Sequence, residues 1–234
     1  LAVADGMISA VDSPAGAGLL EGWLTGEEVP EGLPIDTDRR WAILTTLARL
    51  GRIGTDQIDA EHDSDRTISG AESAAGARAA LADPQTKAEA WRLATDEVDI
   101  PNGTHVAIAA NFWKFGQEEL LNGYQDAYLE LCDQIATSSG SWAKRGHVAR
   151  QTALTYLWPA VLADREWIVK LDEWVEARDL PEQVRRVLAD SRAEALHGIK
   201  VQEFGQTVNG EQASGGDQAS GDQGSGDQQD DQDQ

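Results

Sequence analysis

The sequence predicts an all-α fold: an α-solenoid of antiparallel helix pairs over residues 1–205, followed by a disordered acidic tail over 206–234. Three observations lead there. Apolar residues recur at helical spacing along most of the chain. No segment shows a run of alternating β-branched residues, so no strand is predicted. Composition changes in kind after about Thr207.

Trp41, Leu44, Leu47 and Leu50, with Ala48, mark one face of a helix from about Thr37 to Leu50, which Gly51 and Gly54 punctuate. Asp83 before Pro84 reads as an N-cap with proline at the first helical position, and Lys87–Ala94 carries Trp91 on that short helix. Beyond Gly116, the positions Leu121, Tyr124, Tyr128, Leu131 and Ile135 predict a longer helix. Val148, Ala153, Tyr156, Leu157 and Val161 predict one bent or stopped at Pro159. Trp167, Ile168, Leu171, Trp174 and Val175 mark another, and Pro181 opens a last one with Val184, Val187, Leu188 and Ser191. Roughly ten short helices joined by short turns must bury their apolar stripes on neighbours, and stacked pairs do this naturally. A single compact bundle is the alternative, and no sequence repeat is clean enough to decide between them.

The tail consists of degenerate Ser-Gly-Asp-Gln units such as Ala219–Gln223, ending in Asp and Gln alone. It lacks large apolar side chains and positive charge, so it is expected to remain disordered and to act as a solubilising extension. The formal net charge is −22; eight acids and no Lys or Arg lie beyond residue 200, which leaves −14 on residues 1–200. An acidic folded part argues against nucleic-acid partners and against docking on an anionic membrane. The apolar stretch His105–Trp113 is far shorter than the ~20 residues a membrane span needs. Cys132 is the single cysteine, which excludes an intrachain disulfide and a thiolate zinc cluster and fits a cytoplasmic setting. It reads as a small buried hydrophobe on the amphipathic helix that carries Leu131.

Catalytic signatures are missing. The four histidines, His62, His105, His147 and His197, are far apart, so no HExxH is present; neither is a GxSxG elbow or a phosphate-binding glycine loop. Glu61-His62-Asp63-Ser64-Asp65 could offer ligands to a metal but lacks the glycine of a calcium loop, and a solvated helix end explains it better. A hydrolase using Glu61, His62 and Asp65 is the remote reading of that cluster. Trp41, Trp91, Trp167 and Trp174 fall on apolar faces and are assigned to the core, whereas Trp113 and Trp158 are left open. Arg40, Arg66, Arg78 and Lys114 are isolated positives in an acidic chain, and are the candidates for holding a substrate carboxylate. An ion pair with a neighbouring acid competes with that role at each position.

Several segments, taken in order, resemble the C-terminal region of actinobacterial aminopeptidase N. They are Ala15–Pro30 (AGAGLLEGWLTGEEVP), Asp36–Gly51 (DTDRRWAILTTLARLG), the DRTISGAESAAGARAA within Ile53–Ala80, Lys87–Trp91 (KAEAW), Phe112–Leu121 (FWKFGQEELL) and Tyr156–Pro159 (YLWP). The resemblance implies a HEAT-like helical domain of a gluzincin zinc aminopeptidase. In such enzymes two histidines and a glutamate hold a zinc that activates water, and a second glutamate acts as general base. None of those residues can be placed in this chain, so zinc belongs to the parent enzyme, none is expected on this chain, and the chain by itself is expected to be inactive. By the same resemblance it caps the chamber, limits access and contacts the far end of the peptide substrate, with the missing catalytic domain as its partner. The domain is expected to be partial at its N-terminal side. Arg39 stands where the family usually has leucine, which questions the packing of that turn. The alternative function is a free-standing helical-repeat scaffold that binds protein or peptide without enzymatic activity.

Overall fold

The computed structural model describes residues 2–215, with side chains from Val3 to Phe204. The order is α1 (Ala2–Ala10), α2 (Pro14–Thr25), α3 (Thr37–Arg49), α4 (Thr55–Ser64), α5 (Ile68–Ala80), α6 (Pro84–Thr95) and α7 (Asn102–Phe112). There follow a single turn α8 (Glu118–Leu121), α9 (Tyr124–Thr137), a 3-10 turn (Gly140–Ala143), α10 (His147–Tyr156), α11 (Arg165–Glu176) and α12 (Glu182–Gly215). The described residues are all-α, without a strand. α12 passes the expected boundary at 205/206, and residues 216–234, the greater part of the expected tail, lie outside the described residues.

Local chemistry sets the helix starts. Ser13, Asp36, Thr67, Asp83 and Asp164 each accept a hydrogen bond from the backbone N–H three residues on, and Pro14 and Pro84 occupy the first turns of their helices. α3 ends where Gly51 takes a left-handed φ of 66°, and its N–H closes back on the Ala48 carbonyl at 3.1 Å.

Two helices depart from the periodicity. The pattern through Leu121 and Tyr124 is cut at Gly123, whose φ of 91° only glycine adopts without strain, so Leu121 belongs to α8 and the long helix begins at Tyr124. α10 stops at Tyr156, three residues before Pro159. Val161 therefore lies outside it, and Val148 and Tyr156 are exposed at 57% and 47%.

Packing is organised around a row. α1, α3, α5, α7 and α10 each pack on the next, while α2, α4 and α6 each pack on the member that follows them in sequence. α5 is the centre of this arrangement and touches α3, α4, α6 and α7. Its buried face is Ala74, Ala77, Ala79 and Ala80 with Gly70 and Gly76, small enough to bring backbones close. A Cβ on Gly76 would lie 3.2 Å from the Ala107 carbonyl of α7.

The largest apolar cluster runs from α5 to α12, and smaller ones lie under α3–α5 and α1–α3. Trp113 and Trp158 both belong to the core: Trp113 Nε1 donates to the Leu157 carbonyl at 2.8 Å, and Trp158 meets Trp167 edge-on at 4.8 Å. Trp91 packs in tilted ring contact with Phe112 and Tyr124, both at 5.1 Å. Cys132 is fully buried, and burial pushes its thiol far above the usual range. Arg39 is accommodated without leucine: at 9% exposure it reaches Asp5 and Asp36, each at 2.9 Å, and the Pro34 carbonyl at 2.9 Å. No helix among the described residues is long and apolar enough to cross a membrane.

Candidate functional site

A cleft of about 1090 Å³ lies along the row, walled by α3, α5 and α7 and closed at one side by the end of α1 and at the other by Trp113–Phe115. Its walls are mixed. Trp41, Trp113 and Phe115 supply aromatic surface, and Thr45, Ser73 and Asn111 supply neutral polar groups. Asp12, Asp38, Glu72, Arg49 and Lys114 are its charged residues. A second groove of about 540 Å³ shares Trp113 and Phe115 and continues past Tyr156 and Trp158 to α12. Phe115, 68% exposed, stands where the two meet.

The cleft floor is fixed from below by polar side chains that bind the carboxyl-terminal ends of helices. The last carbonyls of a helix lack intrahelical donors and carry the negative end of its dipole. Gln117 Nε2 donates to the carbonyls of Arg49 and Ala80, both at 2.9 Å, and so ties α3 to α5. Lys87 Nζ, fully buried, donates to the carbonyls of Ala79 at 2.7 Å and Phe112 at 2.6 Å, and so ties α5 to α7. Burial, followed by the nearby Lys114 charge, pulls the Lys87 ammonium down to about 7. At the opposite end, Asp65 accepts from Thr67 Oγ1 at 2.7 Å and from Trp41 Nε1 at 2.9 Å, and these two bonds hold its carboxyl below the usual range.

Arg49 and Lys114 stand at the rim over the same helix ends. Arg49 Nη1 donates to the Phe115 carbonyl at 3.4 Å, and Nη2 to that of Val11. Lys114 Nζ donates to Asn111 Oδ1 at 2.8 Å. Burial, then the Arg49 charge, brings Lys114 down to about 8.

The four cations singled out in the sequence are not gathered at one place. Arg40 forms a two-pronged pair with Glu61, both contacts at 2.7 Å, and also donates to the Leu24 carbonyl at 3.1 Å. Arg66 pairs with Asp63 at 2.9 Å on the exposed end of α4, and Arg78 pairs with Asp59. Lys114 alone of the four lines the cleft. Glu61 and Asp65 are engaged by Arg40 and Trp41, and among the described residues no three His, Cys, Asp or Glu side chains are placed to hold a metal ion. Arg49, the other cation of the cleft, was not legible: a basic residue in the last turn of a helix has an adequate explanation in the helix dipole. Lys87 left no sequence signal at all, since a lysine on a short helix reads as exposed.

The described residues form an all-helical domain with a long cleft along its row of helices. Residues 14–196 match the ERAP1-like C-terminal domain family, and the chain belongs to that family. Aminopeptidase N of Streptomyces lividans is 33% identical over 202 residues, an alignment that covers 86% of this chain. The chain spans 23% of the length of that relative. The resemblance to the C-terminal region of aminopeptidase N therefore stands on the whole ordered set of segments.

Proposed function

We propose that the chain is the C-terminal cap of a zinc-dependent aminopeptidase, lining the peptide chamber and limiting access to it without carrying the zinc. One observation carries this reading: the continuous cleft along α1, α3, α5 and α7, in a chain that matches about a quarter of a protein named aminopeptidase N. The zinc ligands and general base belong to the portion of such an enzyme that the match does not reach. The partner is then the catalytic domain, and the ligand is a peptide trimmed from its N-terminus in the cytoplasm. The row and its paired outer helices support a HEAT-like stack as the architecture of the cap.

The test is made in the parent enzyme. Ala42 is exposed within the cleft on α3, so Ala42→Trp narrows the cleft without entering the core. The expected result is a several-fold fall in kcat/KM for long peptides with hydrolysis of an aminoacyl-nitroanilide unchanged. Equal effects on both substrates count against a capping role. The isolated chain is expected to show no chelator-sensitive hydrolysis of that nitroanilide.

A further inference from the structure

A separate cavity of about 500 Å³ opens on another side of the helix row, between α5, α6 and α7, and shares no residue with the cleft. α5 walls both, with Ser73 and Gly76 on the cleft and Ala75 and Ala79 on the cavity. Small side chains make the space: Ala75 and Ala79 on α5 stop short of α6, which answers with Ala90. Ala79, Ala90 and Ile108 form a buried floor, and half-buried Leu93 and Ile100 continue it toward solvent. Helices in full contact leave few voids larger than a water molecule, whereas small-molecule sites occupy about 300–1,000 Å³.

The mouth has a different chemistry from the floor. Glu89, Glu97 and Asp99 line it, and Arg78, the one cation among the lining residues, is engaged by Asp59. Arg92 serves two of the acids: it bonds both carboxylate oxygens of Glu89 at 2.8 Å and stands 3.8 Å from Glu97. The Asp99 side chain, exposed at the edge, has no ion-pair or hydrogen-bond partner among the described residues. Three carboxylates thus share one guanidinium above an apolar floor, in a chain of net charge −22. An anion is repelled there and a neutral apolar molecule uses the floor alone, whereas a cation on an apolar body matches both surfaces.

We infer that this cavity binds a small organic cation, an amine whose aryl or alkyl body lies among Ala75, Ala79 and Ile108 and whose ammonium meets Asp99 and Glu97 at the mouth. A partner protein's helix, about 10–12 Å across with its side chains, is too thick to enter. The site is independent of the aminopeptidase reading, so it is tested on the chain itself by nuclear magnetic resonance titration at about pH 7. The probes are 4-phenylbutylamine, 4-phenylbutanol and 4-phenylbutyrate, which share one apolar body and differ in charge. The expected result is a saturable shift of the Ala75, Leu93 and Thr104 amides, with the amine at least about fivefold tighter than the alcohol and the carboxylate weakest. Sodium chloride lowers the affinity of the amine and leaves that of the alcohol unchanged. Ala75→Phe fills the cavity from α5 and abolishes the shifts. Asp99→Asn with Glu97→Gln brings amine and alcohol to similar affinity; both side chains sit at the mouth and outside the core, so this variant keeps the test sound should Ala75→Phe fail to fold. Absence of a saturable shift with the amine, equal binding of amine and alcohol, shifts centred on Trp41 and Asn111 of the cleft, or an amine preference that survives the double substitution overturns the site.

Discussion

Lys87 concentrates the physics of single residues in this protein. Its ammonium is out of water, has no counter-ion and is held by two carbonyls at the ends of α5 and α7. Lys87→Met leaves both carbonyls unbonded and is expected to cost about 2 kcal/mol in urea unfolding. The sign of the pH dependence follows from the displaced pKa. Between about 7 and the ordinary 10.5 the unfolded chain holds a proton that the folded chain has released, so stability from this group grows as pH rises and is lost as pH falls through about 7. The stability difference between the wild type and Lys87→Met is therefore expected to be larger at about pH 9 than at about pH 7; a difference that shrinks refutes the assignment. Gly70 illustrates the opposite constraint, that of space. A Cβ there would lie 2.1 Å from the Asp65 backbone carbonyl, which cannot swing aside as a side chain does. Gly70→Ala is expected to lower stability by about 1–3 kcal/mol, read as a shift in the urea midpoint.

At the scale of elements, the sequence announced the helices whose stripes are large and stayed silent where they are small. α3 and α11 are read correctly because Trp41, Leu44 and Leu47, or Trp167, Ile168 and Leu171, rise sharply above their polar neighbours. α5, the most connected helix, packs through alanine and glycine, whose contrast with a polar face is slight. The break at Gly123 was hidden because Leu121 and Tyr124 keep helical spacing across it, and a glycine inside a periodic run does not by itself declare a left-handed φ. Gly123→Ala should therefore cost about 1 kcal/mol through backbone strain, measurable as a lower melting temperature with helical content unchanged. The caps at Asp36, Asp83 and Asp164 obey local rules. The cleft does not, because no sequence rule brings Arg49 beside Lys114 across the gap between α3 and α7.

The whole molecule couples an acidic surface to a row of helices with one open face. With a net charge of −22, self-repulsion opposes compaction, and screening at higher ionic strength relieves it. The exposed ion pairs weaken in salt by less than this gain, since each contributes about 0–1 kcal/mol. Melting temperature is thus expected to rise with added sodium chloride; a fall would mean that the ion pairs outweigh the net repulsion. The chain belongs to the ERAP1-like C-terminal domain family, and Arg49 and Lys114 line its open face.

The ties below the cleft reach further than their hydrogen-bond count suggests. Gln117 and Lys87 belong to different segments, yet between them they clasp the final turns of three helices remote in sequence. A helix end usually frays independently of its neighbours, but here releasing one means abandoning a donor shared with the next. The last turns of α3, α5 and α7 should consequently open as one cooperative unit, visible as amides with a common exchange free energy. Severing the clasp with Gln117→Ala should split that unit, leaving α3 to exchange earlier than α7.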